Sequence, residues 1–248
     1  MSTSPARLLL TALAMSAGFP QPGQLSAVQS DGDTNFMVFL PSNWRAGADE
    51  TFPVLLYLHG GGGVKKPERV VGQALGRILS GVPPKGPGDP TFLGGPAWPG
   101  AGNEEENRDF AAGFPFITLI PVSNQRGWQP QFDNLMSLLD NVAVKQLQGD
   151  PRRVYLAGQS MGGNGAWGLS AANPGKFAAI APFCGFYSKS EYTMEDQVPA
   201  EDAGFLSALK DQPIWTFHAE ADGVVAKSLT DAIVNALRGA GAGENLKY

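Results

Sequence analysis

The stretch from Val154 to Gly163, VYLAGQSMGG, constrains the fold more than any other part of the chain: an apolar run enters a G-x-S-x-G turn with helix-compatible residues behind it. A serine at the centre of such a strand–turn–helix sits in a strained backbone position, and only small residues around it let strand and helix pass closely. Ala157, Gly158, Gly162 and Gly163 supply them. The segment therefore predicts a strand ending at Ala157, a nucleophilic Ser160 exposed at the turn, and a helix over 164–172.

The rest of the chain repeats the same alternation. Apolar runs over 36–41, 52–58, 114–122, 177–181 and 213–218 read as strands, and that over 52–58 is continuous enough to be covered on both faces. Amphipathic helices are expected over 69–79, 133–148 and 226–237, with a weaker one over 205–209. Residues 103–109, with three successive glutamates, read as a solvated surface turn. Alternating strands and helices predict an α/β fold of three layers, a mostly parallel sheet with helices on both faces. In such sheets ligands gather at the carboxyl ends of the strands. At 248 residues, one domain over 31–248 is expected after a leader or extension over 1–30. Twelve of the twenty residues in 81–100 are glycine or proline, which predicts a loop excursion there.

Composition narrows the function classes. A net charge of -5 with no basic cluster argues against nucleic acid. Residues 1–18 carry one arginine and a short apolar run, so a secreted chain follows if they act as a signal peptide, and a cytoplasmic one is the default otherwise. That run is too short for a membrane span. The single Cys184 reads as a small buried hydrophobe. No cofactor is implied, because the glycine run is not followed by Gly-Lys-Ser/Thr, and no His/Asp/Glu spacing suggests a metal.

Ser160 needs two oxyanion donors, a base and an acid to orient that base. The first donor is the N–H of Met161, just after the nucleophile. The second is expected from the glycine loop 60–63, with Gly61 preferred. Asp222, at a strand's carboxyl end and after the serine in chain order, suits the acid; a plain Asp-Gly turn and Glu220 are its alternatives. The two histidines are His59, read as shaping the glycine loop, and His218, read as turn support or a substitute base. Gln159 and Trp128 are the expected substrate-binding residues, Trp128 as an aromatic wall or as a surface-packed tryptophan.

The segments LLYLHGGGG (55–63), Pro121-Val122 before Gly127-Trp128, GDPRRVYLAGQSMGGNGAW (149–167), FAAIAP (177–182) and PIWTFHAEAD (213–222) together resemble the α/β-hydrolase superfamily. The similarity is to its phospholipase/carboxylesterase and dienelactone-hydrolase-like part, and especially to esterases related to feruloyl esterases and polyhydroxybutyrate depolymerases. The resemblance implies a serine carboxylesterase acting on a small-molecule ester, with Ser160 as nucleophile, Met161 and the 59–61 loop as oxyanion hole and Asp222 as triad acid. It also implies a final strand, a Gly-His motif and a closing helix beyond a segment like 245–248, so an incomplete triad and an open sheet edge, a candidate homo-oligomer contact, are expected here. A ligand- or partner-binding protein without catalysis, or a peptidase or thioesterase of the same fold, is the alternative.

Overall fold

The apolar runs assemble into one eight-stranded sheet. A computed structural model describes residues 20–28, 35–71, 74–80, 104–187 and 202–248. Its strands are β1 (Leu25–Val28), β2 (Phe36–Phe39), β3 (Phe52–Leu58), β4 (Ile117–Pro121), β5 (Gly149–Gln159), β6 (Ala179–Phe183), β7 (Ile214–Trp215) and β8 (Leu246–Lys247), in the order β1-β2-β4-β3-β5-β6-β7-β8. The β1–β2 and β2–β4 pairs are antiparallel and every other pair is parallel.

The helices are α1 (Pro67–Val71), α2 (Ala74–Ser80), α3 (Glu104–Gly113), α4 (Phe132–Ser137), α5 (Met161–Ala172), α6 (Ala203–Leu209) and α7 (Lys227–Gly239). Side chains alternate along β3, so Val54, Leu56 and Leu58 join one core with Leu135, Trp167, Leu209 and Ile233 of α4, α5, α6 and α7. Tyr57 points the other way, into a second core with Met37, Ile120 and Val70, the last from α1. The result is the three-layer α/β fold the alternation predicts, with α7 burying Thr230, Ile233, Val234 and Leu237 at helical spacing.

Several expectations change. The acidic stretch expected as a turn is the helix α3, whose Asn107 and Ala111 are buried one turn apart. The helix expected over 133–148 divides: α4 passes into a π-helical turn over Leu138–Val144, which still buries Leu138, Leu139, Val142 and Ala143. β1 lies within 1–30, the stretch expected as a leader or N-terminal extension, and pairs antiparallel with β2, Leu25 opposite Phe39. At the other end, within the segment 245–248 for which no strand is expected, Leu246 and Lys247 form β8, paired with Ile214 and Trp215. Residues 1–19 of the expected leader or extension and the glycine- and proline-rich stretch 81–100, expected as a loop excursion, lie outside the described residues.

Candidate active site

Ser160 joins β5 to α5 at φ 55° and ψ -116°, a backbone position strained for any residue with a Cβ. The turn is held from both sides, since Ser160 N–H donates to Phe183 O at 2.9 Å and Ser160 O accepts from Asn164 N–H at 2.9 Å. The neighbouring glycines are demanded by backbone. A Cβ on Gly158 would come within 2.2 Å of Gly162 O, and one on Gly162 within 1.9 Å of Leu58 O. On Gly163 it would meet Gly185 Cα at 2.8 Å. Ser160 and Gln159 are both half-buried at the end of β5.

The glycine loop approaches the same turn: a Cβ placed on Gly60 would stand 3.6 Å from Ser160 Cβ. Gly61 opens a 3-10 turn over Gly61–Gly63, and Met161 opens α5. As first residues of helical turns, both have N–H groups without an intrahelical acceptor. His59 fixes the loop from beneath. It is 2% exposed, its Nε2 accepts the Ser123 N–H at 3.0 Å, and its Nδ1 lies 2.6 Å from Gly60 O. A backbone amide can only donate and a carbonyl can only accept, so the ring is neutral with its proton on Nδ1. Burial lowers its pKa to about 4, with the Gly60 bond opposing that shift. In a trans peptide the carbonyl and the next N–H point oppositely, so a Gly60 O held toward His59 turns the Gly61 N–H away from that ring.

Trp128 corrects its expectation as an aromatic pocket wall, and it is not surface-packed either. It is fully buried, donates from Nε1 to His59 O at 3.2 Å, and crosses the His59 ring edge-on at 5.0 Å between centroids. A Cβ on Gly165 of α5 would meet the indole at 2.8 Å, so the ring wedges the 123–128 loop between the histidine and α5. The same loop is tied to the start of α5 by Gly127 N–H, which donates to Met161 Sδ at 3.3 Å. Gln131, also buried, donates to Ser123 Oγ at 2.8 Å and Gly127 O at 3.2 Å. Sequence patterning missed Ser123 and Gln131, since a single polar residue 64 positions from its partner leaves no periodic signal.

Asp222 lies beyond β7, two strands from β5. Its Oδ1 accepts the N–H groups of Val224 at 2.8 Å and Val225 at 3.0 Å, and its Oδ2 stands 3.5 Å from His218 Nε2. Cys184, at the end of β6, lies between the two sites. Its pKa is raised to about 11, mainly by burial; a bond to the Ser160 backbone opposes this, and the Asp222 charge adds to it. The thiol is half-buried at a positive φ of 40°, rather than the core hydrophobe expected. His218 is enclosed: its Nδ1 lies 2.7 Å from Thr230 Oγ1 and its Nε2 2.8 Å from Val225 O. Both nitrogens are thus occupied. Ser160, the glycine loop and Asp222 are gathered at the carboxyl ends of β5, β3 and β7, while the two histidines serve as braces. Among the described residues there is no cluster of three His, Cys, Asp or Glu able to hold a metal, and no helix long and apolar enough to cross a membrane.

The strand order and the turn at Ser160 define an α/β-hydrolase architecture, and solved structures share it. A thermostable esterase superposes with a TM-score of 0.57 at 20% identity, over 90% of this chain and 52% of that one, so this chain spans about half the length of that esterase. A mutant feruloyl esterase module from Clostridium thermocellum, complexed with sinapinate, gives 0.58 at 15% identity over 92% and 77%. An acetyl xylan esterase from Aspergillus awamori gives 0.56 at 14% identity over 89% and 83%. At these identities the likeness is one of fold. No family model matches the chain, and no curated protein matches it.

Proposed function

We propose that this chain is a serine hydrolase of the carboxylesterase type acting on a small-molecule ester. The observation that carries the reading is Ser160 at its strained strand-to-helix turn, with Met161 opening the helix behind it and Gly60 of the glycine loop alongside. Ser160 Oγ attacks the ester carbonyl, and the N–H groups of Met161 and Gly61 stabilise the oxyanion. The carbon–oxygen bond to the leaving alcohol breaks as that alcohol takes a proton, leaving an acyl-enzyme. Water then attacks the acyl carbon, releasing the carboxylic acid and restoring the Ser160 hydroxyl. Asp222 is the acid that orients the base. Each histidine ring is engaged where it stands, so His218, whose Nε2 is 3.5 Å from Asp222 Oδ2, takes the Ser160 proton and passes it to the leaving alcohol only once its ring leaves Thr230 Oγ1 and Val225 O. Gln159 borders the bound ester. The esterases that share the fold agree with this class.

Intact mass after treatment with a fluorophosphonate tests the reading, using the wild-type chain and Ser160→Ala. Stoichiometric labelling that is lost in Ser160→Ala is the expected result. Absence of labelling on a folded chain would overturn catalysis and favour a ligand-binding protein on the same fold, the reading that the engaged histidines support.

A further inference from the structure

We infer that Gln131 is a positioning residue for the oxyanion hole: its side-chain amide joins the two segments that carry the N–H groups of Gly61 and Met161. The inference deepens the proposed function and rests on it for the role of those two N–H groups; the connection between them rests on hydrogen bonds whose donors and acceptors are fixed by chemistry.

The β3–β5 ladder runs in register as far as Leu58 and Gly158, so the spacing between Gly61 and Met161 is set by what lies beyond the strands. Ser123 grips the glycine turn at both ends. Its N–H donates to His59 Nε2 at 3.0 Å, and its carbonyl accepts the Lys65 N–H at 2.8 Å. Within that grip the turn wraps the imidazole, since a Cβ on Gly63 would come within 2.6 Å of His59 Nδ1. Trp128 Nε1 holds His59 O at 3.2 Å and His59 Nδ1 holds Gly60 O at 2.6 Å, so both carbonyls that precede Gly61 are bonded. The plane of the Gly60–Gly61 peptide, and with it the direction of the Gly61 N–H, follows the position of Ser123.

Gln131 places Ser123. It is 5% exposed, and the two protons on its Nε2 go to Ser123 Oγ at 2.8 Å and to Gly127 O at 3.2 Å. A carbonyl only accepts, so the nitrogen of the amide faces this pair and its oxygen does not. Ser123 Oγ gives its own proton to Gln125 O and accepts the Gln125 N–H at 3.3 Å, which leaves it an acceptor toward Gln131. Each contact therefore has its proton, and no group in the path needs a charge. Gly127 takes φ 84°, a backbone that glycine adopts without strain, and while its carbonyl accepts from Gln131 its N–H donates to Met161 Sδ at 3.3 Å. A single amide thus ties the anchor of the glycine turn to the first residue of α5. Without it, Ser123 Oγ and Gly127 O each lose a donor in a buried site, and the 123–128 loop is free to shift one oxyanion donor against the other. Such donors act on the charge that forms in the transition state, so their displacement lowers the maximal rate and leaves ground-state affinity in place.

The test is the rate of fluorophosphonate labelling of the intact chain over a range of probe concentrations, which separates the maximal rate from the half-saturating concentration. Wild type, Gln131→Met and Ser123→Ala are compared at a temperature where circular dichroism shows each to be folded. Gln131→Met fills a similar volume without N–H donors, and its maximal rate is expected to fall roughly ten- to hundredfold with the half-saturating concentration unchanged. Ser123→Ala removes only the acceptor of the amide and keeps both backbone bonds to the glycine turn, so it carries the test if Gln131→Met does not fold. The double variant is expected to lose no more than the worse single one, because both cut the same path. A merely structural role would lower the melting temperature and leave the rate of the folded chain alone. A folded Gln131→Met that labels at the wild-type maximal rate would overturn the inference, and so would losses that multiply in the double variant. If wild type itself is not labelled, the esterase reading fails and amide NMR decides the positioning: the Gly61 and Met161 signals both move in Gln131→Met if Gln131 sets them, and stay in place if it does not.

Discussion

His59 joins two backbone groups that demand opposite roles of its two nitrogens, and this makes it sensitive to acid. Protonating Nε2 would turn the acceptor of the Ser123 N–H into a second donor. Above pH 6.5 the ring is neutral in both the folded and unfolded chain, and it places no pH dependence on stability. Below that, the unfolded ring takes up a proton that the folded ring, with its pKa near 4, refuses. Stability from this residue therefore falls between pH 6.5 and about pH 4 and levels off below it, a loss of about 3 kcal/mol at most. Urea unfolding at a series of pH values should show this decline, and His59→Gln should flatten it. Trp128 tests the other side of the same brace. Trp128→Ala empties a fully buried site and frees His59 O, so a loss of about 3–5 kcal/mol is expected. An exposed pocket wall would instead leave stability almost unchanged and alter only the choice of substrate.

At the scale of elements, the crossing of β5, α5 and β3 is the tightest part of the molecule. Gly162→Ala would drive a methyl into Leu58 O, a backbone atom in the central strand that cannot swing away. The expected cost is about 3 kcal/mol, or roughly 10 °C in Tm, with loss of Ser160 labelling. Gly113→Ala is the control: nothing lies within 4 Å of its Cβ position, and thermal melting should be unchanged or slightly improved. This contrast also explains what could be read from the sequence. The turn at Ser160 was legible because its glycines, each forced by a main-chain contact, stand together within 158–163, and β3 because continuous apolar residues report burial on both faces. The α3 helix was not, since its charged residues hide a buried face that only Asn107 and Ala111 mark. The bracing network was not legible either. His59, Ser123 and Gln131 meet through single hydrogen bonds between distant segments, and Trp128 reads identically in sequence whether it lines a pocket or wedges a loop.

For the molecule as a whole, the sheet ends in an aromatic face that no described helix covers. Along β7 and its continuation the side chains alternate: Ile214 and Thr216 are buried, while Trp215 is 57% and Phe217 39% exposed. Phe217 stacks on Phe183 at 5.1 Å and tilts against Trp215 at 4.9 Å, so the exposed rings form one continuous surface rather than scattered residues. Beside them β8 contributes only two paired residues. An apolar patch next to the outermost strand of the described sheet favours association. Lys247 lies over the Trp215 ring at 5.8 Å and supplies a charge at that edge, which opposes close approach of two copies. Because burial of the rings is the driving force, association should strengthen in sulfate, which also screens the lysine. The double variant Trp215→Thr/Phe217→Thr keeps β-branched residues in the strand and removes the rings. It is expected to lower concentration-dependent light scattering while leaving fluorophosphonate labelling of Ser160 unchanged. Equal scattering by both proteins would place the self-association elsewhere on the molecule.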